Sequence, residues 1–187
     1  MNKAQVTRDR LQAEALRLFD ERGYDNVTVE EIAHAVGVSH MTFFRHFPTK
    51  DSVIFDDPYD PMIGAAIARQ DRGPRPVERV CRGLLDAWAQ IEEPRDESMR
   101  TRIRLAAEHP ALRARVWENN QRTEEIIVTA LIEAGAGRLE ARVAAGGALG
   151  ALTAALLDWA EHEGAGTLGD RVRTALLMMM SESVGAR

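Results

Sequence analysis

Cysteine is nearly missing from this 187-residue chain: Cys81 stands alone. One thiol builds neither a disulfide framework nor a cysteine-rich zinc site, so the fold must rest on an apolar core, and a reducing compartment suits it. Lysine is almost as scarce, with Lys3 and Lys50 only; arginine supplies the remaining positive charge. Long hydrophobic runs are missing too. The most apolar stretch, Val143 to Ala160, is interrupted by Gly146, Gly147, Gly150 and Asp158 and falls short of the ~20 apolar residues that span a bilayer. Met1 to Arg10 is polar and lacks the apolar segment of a signal peptide. The expectation is a cytoplasmic protein with no membrane partner. Nucleophile elbows, phosphate-binding glycine loops and paired His-Glu metal motifs are all missing. Cys81, His109 and His162 have no metal-ligand spacing. No enzyme, no cofactor and no metal site is therefore expected.

What is present reads almost entirely as helix, without strand alternation, internal repeats or low-complexity tracts. Hydrophobic residues make up 45% and charged residues 28%, enough apolar material for a core that needs no covalent staples. Leu11, Ala15, Leu18 and Phe19 share one helix face. Gly23 predicts a left-handed stop, with Tyr24 folding back on the helix end. Thr28 and Glu31 have capping-box spacing and open a second helix carrying Ile32, Ala33 and Val36. Gly37 ends it. Ser39 caps a third helix with Phe43 and Phe47 as core, Pro48 stops that one, and Thr49 caps a fourth bearing Val53, Ile54 and Phe55. The prolines at 58 and 61 mark a break, placing a domain boundary after residue 56: an N-terminal domain over 1–56 and a second over 57–187. The second domain predicts amphipathic helices separated by Pro74-Arg75-Pro76, Pro94, His109-Pro110, Gly135-Ala136-Gly137 and Gly164-Ala165-Gly166. The fold class is all-α, about nine helices, with an N-terminal three-helix helix-turn-helix domain before a larger C-terminal helical domain.

The net charge of −5 argues against nucleic acid only if its distribution is ignored. Residues 1–50 hold seven basic and seven acidic groups, so the acidic excess lies after residue 50. From His34 to Lys50 there is no carboxylate, while Arg45, Lys50 and three histidines are present. That basic patch coincides with the helix, Gly37-Val38-Ser39 turn, helix unit. A glycine permits the sharp turn, Val38 plugs between the helices, and the second helix is presented at the angle that enters a major groove. Its first turn offers Ser39, His40, Met41 and Thr42 to base edges. The N-termini capped by Thr28, Ser39 and Thr49 point N–H groups at phosphate.

Residues 7–56 resemble the DNA-binding domain of the TetR (tetracycline repressor) family. The resemblance rests on Leu11…Ala15…Leu18-Phe19…Gly23-Tyr24, on Thr28-Val29…Ile32-Ala33…Gly37-Val38-Ser39, and on Thr42-Phe43-Phe44-Arg45-His46-Phe47-Pro48…Lys50. It implies phosphate contacts from Thr28 and Lys50. It also implies that Ser39, His40, Met41, Thr42, Phe44, Arg45 and His46 face DNA. Phe44 stands where the family often carries tyrosine, so no hydroxyl is available there. The family further implies a double-stranded operator, a small-molecule effector bound among the middle helices, and a homodimer through the last two. Trp88, Met99, Ile103, Trp117 and Trp159 are the candidate pocket residues, and they suit an apolar or amphipathic effector. Gly146, Gly147, Gly150, Ala151, Ala154 and Ala155 let another helix approach closely, and Leu149, Leu152, Leu156, Leu176, Leu177, Met179 and Met180 add apolar area. The function expected is a repressor released from a palindromic operator by its effector. Two alternatives remain: a helical protein-interaction module, and a small-molecule binding protein whose helix-turn-helix is only structural.

Overall fold

The computed structural model describes residues 3–55, 60–71, 75–90, 97–162, 164 and 166–181, and every regular element among them is helical. They are α1 (Lys3–Arg22), a 3-10 turn (Tyr24–Asn26), α2 (Val29–Val36), α3 (His40–His46), α4 (Ser52–Phe55) and α5 (Asp60–Ala68). There follow α6 (Pro76–Trp88), α7 (Glu97–Glu108), α8 (Pro110–Glu133), α9 (Arg138–Glu161) and α10 (Leu168–Met180). The break expected around Pro58 lies outside the described residues, as do Ile91 and the end of the last helix beyond residue 181.

The chain groups into two compact units, 1–56 with 96–116 and 57–95 with 117–187. Residues 96–116, which the sequence reading assigned to the second domain, pack with the first 56. In the first unit Leu11, Ala15 and Phe19 of α1 meet Ile32 and Ala33 of α2, Phe43 and Phe47 around α3, and Val53 and Ile54 of α4. Leu112 of α8 completes that core, with Leu105 and Ala106 of α7 packed against it. Phe19, Phe43 and Phe47 are fully buried and dominate it, since aromatic side chains remove the most apolar area from water.

Among the described residues, polar ties from Arg102, Arg104, His109 and Arg115 join α7 and the start of α8 to the rest of this unit. Arg102 donates from Nη2 and Nε to the Ile54 carbonyl at 2.7 and 3.0 Å. Arg104 pairs with Asp20. His109 Nε2 lies 3.0 Å from Asp25 Oδ2, and Arg115 Nε lies 2.6 Å from Asp51 Oδ2.

The second unit is built around α6. Pro76 occupies its first turn, where a missing N–H costs nothing. Val80, Cys81, Leu84 and Ala87 then form its buried face. α5 crosses closely at Gly83: a Cβ there would stand 2.5 Å from Ile67 Cγ1 and 2.8 Å from Ile67 Cα, so only glycine fits. The Cys81 thiol is wholly buried, and burial, with the nearby Glu78 charge, pushes its pKa to about 11.

The small residues of α9 serve two purposes. Ala141, Ala144, Ala145 and Ala148 are buried, and Gly147 admits the end of Met179, whose Cε would lie 3.1 Å from a Cβ. Leu139, Val143, Gly146, Gly150 and Ala154, spaced as one helix stripe, are exposed instead. Leu177 and Met178 of α10 are also exposed, Met178 by 70%. By length and composition α9 is apolar enough to cross a membrane, with a mean hydropathy of 1.4 over its best window. The sequence reading discounted this stretch because Gly146, Gly147, Gly150 and Asp158 interrupt it.

Candidate nucleic-acid interface

Two short helices and the turn between them make the site. α2 opens on a complete capping box: the Glu31 N–H donates to Thr28 Oγ1 at 3.2 Å, and the Thr28 N–H donates to Glu31 Oε2 at 2.8 Å. It closes at Gly37, in the left-handed region with φ 78° and ψ 32°. There the Gly37 N–H reaches the His34 carbonyl at 3.0 Å and the Val38 N–H reaches Ala33 at 2.9 Å. This pair of bonds is the Schellman closure, which requires a residue of positive φ. Gly23 also has positive φ, 84°, but its ψ of 146° takes it out of the left-handed helical region expected of it, and it opens the 3-10 turn. Tyr24 does fold back, its ring 5.0 Å from that of Phe19.

Ser39 caps α3 by accepting from the Thr42 N–H at 3.3 Å. Phe43, on one side of α3, and Phe47, just past its end, anchor it in the core. His40, Met41, Phe44 and Arg45 occupy the other side and are exposed, Met41 by 61% and Phe44 by 43%. Burying Phe43 and Phe47 thus leaves two large apolar side chains on a surface that also carries Arg45. Such a face suits contact with bases and sugars rather than with water.

The polar residues expected at phosphates are held more tightly within the chain than their spacing suggests. The Thr28 hydroxyl donates its one hydrogen to Glu31 Oε2 at 3.0 Å while accepting from the Glu31 N–H. The Glu31 carboxyl is drawn down to about 2, first by the Thr28 N–H and then by Arg22. An anion therefore already sits at the start of α2. Lys50 is half-buried, bonds the Tyr24 carbonyl, and rests its ammonium 4.1 Å from the Tyr24 ring centroid. Burial lowers its pKa from the usual lysine value; an ammonium has three donors, so two remain. Thr49 and Ser52 cap each other. Ser39 and Thr42 share one hydrogen between hydroxyls 3.0 Å apart, which leaves the other for a partner. His46 is half-buried.

Two residues the sequence reading passed over set this geometry. Arg8 Nη1 donates to the His46 carbonyl at 2.6 Å, and Arg10 Nη2 to the Val36 carbonyl at 3.3 Å. Both partners are the last residues of their helices, so α1 supplies a cation to the C-terminal end of α3 and of α2. The separations of 38 and 26 residues leave no local pattern that could have revealed this.

The five pocket candidates divide between the two units. Met99 and Ile103 belong to the first unit; Trp88, Trp117 and Trp159 belong to the second. Trp117 is 67% exposed. Trp159 is buried, but its indole N–H reaches the Gly166 carbonyl at 3.3 Å and closes the turn between α9 and α10. A groove of about 410 Å³ does occur in the second unit, between Pro76, Val77, Val143, Ala144, Gly147 and Met179, and none of the five lines it. Among the described residues no cluster of His, Cys, Asp or Glu has metal-binding geometry.

Helix, left-handed glycine turn and outward-facing second helix define a helix-turn-helix DNA-binding fold. Residues 11–56 match the family described as bacterial regulatory proteins, tetR family, and residues 75–183 match the MftR C-terminal domain. TcmR, an HTH-type transcriptional regulator of Streptomyces glaucescens, is 41% identical over 80 residues, covering 42% of this chain and 35% of TcmR. HbdR of Aromatoleum sp. (strain CIB) is 30% identical over 99 residues, 49% of this chain and 42% of HbdR. These matches span less than half the length of either relative. Among solved structures, SmeT, the repressor of the Stenotrophomonas maltophilia multidrug efflux pump SmeDEF, has a TM-score of 0.62 at 18% identity, covering 96% of this chain and 91% of SmeT. A complex of SmeT with triclosan gives 0.65 at 17%, covering 94% and 90%. The chain belongs to the TetR family of transcriptional regulators.

Proposed function

We propose that this protein is a dimeric repressor that places α3 in the major groove at each half of an inverted repeat and leaves the operator when a small molecule binds. The observation that carries the DNA reading is the exposed face of His40, Met41, Phe44 and Arg45, held outward by the buried Phe43 and Phe47. In this reading Ser39, His40, Met41, Thr42 and Phe44 meet bases and sugars, and Arg45, His46 and Lys50 meet phosphate. Thr28 acts by capping α2, because its hydroxyl hydrogen and its backbone N–H are both committed to Glu31. Residues 1–56 bind DNA, and 57–187 supply the effector site and the dimer.

The stripe from Leu139 to Ala154 supports a dimer through α9 and α10. Gly146 and Gly150 have nothing within 4 Å of an added Cβ, so a partner helix can come close there, with Leu139, Val143 and Met178 supplying apolar area around it. Two-fold symmetry would then set the recognition helices ~34 Å or a multiple apart, to match successive major grooves. An effector that prefers another spacing lowers operator affinity by its differential binding. Half-buried apolar side chains in each unit, Met99 and Ile103 in the first and Trp88 in the second, are the candidates for contact with an apolar or amphipathic effector. Movement of α7 or the start of α8 would act on the DNA-binding helices through Arg102, Arg104, His109 and Arg115.

Selection of binding sites from a random duplex pool, at two salt concentrations, tests the reading. An enriched inverted repeat is the expected result. If nothing is enriched at either salt, from protein stripped of small molecules by refolding, the repressor reading falls and an interaction module takes its place.

A further inference from the structure

α3 has only seven residues, and its two ends are held differently. Its start is capped locally by Ser39. Its end has no left-handed closure: Phe47 is extended, with φ −134° and ψ 108°, and the Phe47 N–H satisfies only the Phe43 carbonyl. The remaining terminal carbonyls need donors from elsewhere, and Arg8 reaches one of them, that of His46, at 2.6 Å. The same guanidinium lies 4.3 Å from the centroid of the buried Phe47 ring. One side chain of α1 therefore bonds the last residue of the recognition helix and covers the next. A planar guanidinium donates in its plane while its face lies over the ring; a lysine ammonium, a compact point charge with no such plane, does not reproduce that fixed geometry.

We propose that Arg8 is a positioning residue that fixes the pitch of α3, and so sets how strongly the protein prefers its operator over other DNA. Met41 and Phe44 stand on the short helix it pins, so a loosened end displaces the side chains that meet bases, while the number of cations near phosphate, and with it the general attraction to DNA, stays the same. The inference rests on the reading that α3 enters the groove.

Arg8→Lys and Arg8→Gln, compared with wild type on the selected operator and on a scrambled duplex across a salt series, separate positioning from direct phosphate contact. With positioning, Arg8→Lys reduces the ratio of operator to scrambled affinity about tenfold, the size of one lost charge-assisted hydrogen bond. Its salt slope stays unchanged, and amide exchange at Phe47 quickens. With direct phosphate contact, Arg8→Lys keeps the ratio, while Arg8→Gln weakens both duplexes alike and lowers the salt slope by about 1; that result overturns the proposal. A ratio within twofold of wild type in both variants also overturns it. Wild type that prefers no sequence would instead sink the DNA reading itself, and this inference with it.

Discussion

Replacing Gly37 by alanine isolates one backbone conformation. At φ 78° and ψ 32° an L-residue brings its Cβ too close to the following carbonyl, a cost of roughly 1–2 kcal/mol. No further steric charge applies, because nothing lies within 4 Å of the added Cβ. Both Schellman bonds are made by backbone N–H groups, so alanine retains them if the turn holds. The expected loss is therefore about 1–2 kcal/mol, which in a chain of this size lowers the melting temperature by ~2–8 °C. Asparagine tolerates the left-handed region, and Gly37→Asn should lose less than half as much. Thermal unfolding followed by circular dichroism, on three proteins purified in parallel, measures this. Operator affinity at a temperature where all three are folded adds a second readout: if alanine shifts the turn away from positive φ, α3 is tilted and affinity falls beyond what the folded fraction explains. Equal melting temperatures for wild type and Gly37→Ala, or an asparagine variant as unstable as the alanine one, would refute the argument from backbone conformation.

Other perturbations probe the remaining parts. Val143→Asp puts a charge on the exposed stripe of α9 and should leave a folded monomer by sedimentation; an unchanged dimer removes that stripe from the interface. Gly146→Ala should raise the stability of an unpartnered helix by ~0.5–1 kcal/mol, whereas a closely packed partner helix would make it weaken the dimer instead. Phe44→Tyr adds a hydroxyl donor that can reach the backbone beside the sugars Phe44 meets, and should tighten binding to all duplexes severalfold; a gain confined to one sequence would show that the new hydroxyl bonds a base edge instead. Acid should unfold the first unit, because the carboxyls of Asp25, Asp51 and Glu31 titrate below their ordinary values. Groups with lowered folded-state values stabilise fully above the unfolded pKa of about 4 and lose that contribution as pH falls through the folded one. Melting temperature should thus hold down to about pH 5 and drop toward pH 2. Glu31→Gln should flatten that limb, and an identical slope would count against the role of Glu31.

The parts of the fold that were legible in the sequence are those with local signals. A capping box needs only Thr28 and Glu31 three residues apart, and it stands where it was read; a glycine after an apolar face gives the Schellman turn at Gly37 but not at Gly23, whose ψ of 146° takes the chain into a 3-10 turn instead. Helical periodicity says that a face is buried but not against what. It therefore gave no hint that α7 and the first turns of α8 would join the DNA-binding unit through Leu112 and Arg102. It also could not divide the α9 glycines between Met179 and open surface. Side-chain reach is harder still. Thr28 and Lys50 occupy the positions expected of phosphate ligands, yet one is bound by Glu31 and the other by the Tyr24 carbonyl, and no spacing rule contains those bonds. The tryptophans are hard to read for a related reason: an indole is as ready to cap a turn, as Trp159 does, or to lie on the surface, as Trp117 does, as to line a cavity.

The burial of Cys81 makes the chain a convenient instrument. Its thiol is protonated at neutral pH and enclosed on all sides, so reagents that alkylate or spin-label cysteine should pass the native protein by. A Met41→Cys or Phe44→Cys variant then offers a single reactive thiol per chain, on the outward face of α3. In a dimer the two labels would form a molecular ruler, and dipolar spectroscopy on frozen samples would read the distance between recognition helices directly. Adding candidate small molecules one at a time would turn that distance into a screen for the effector, with no need to know the operator first.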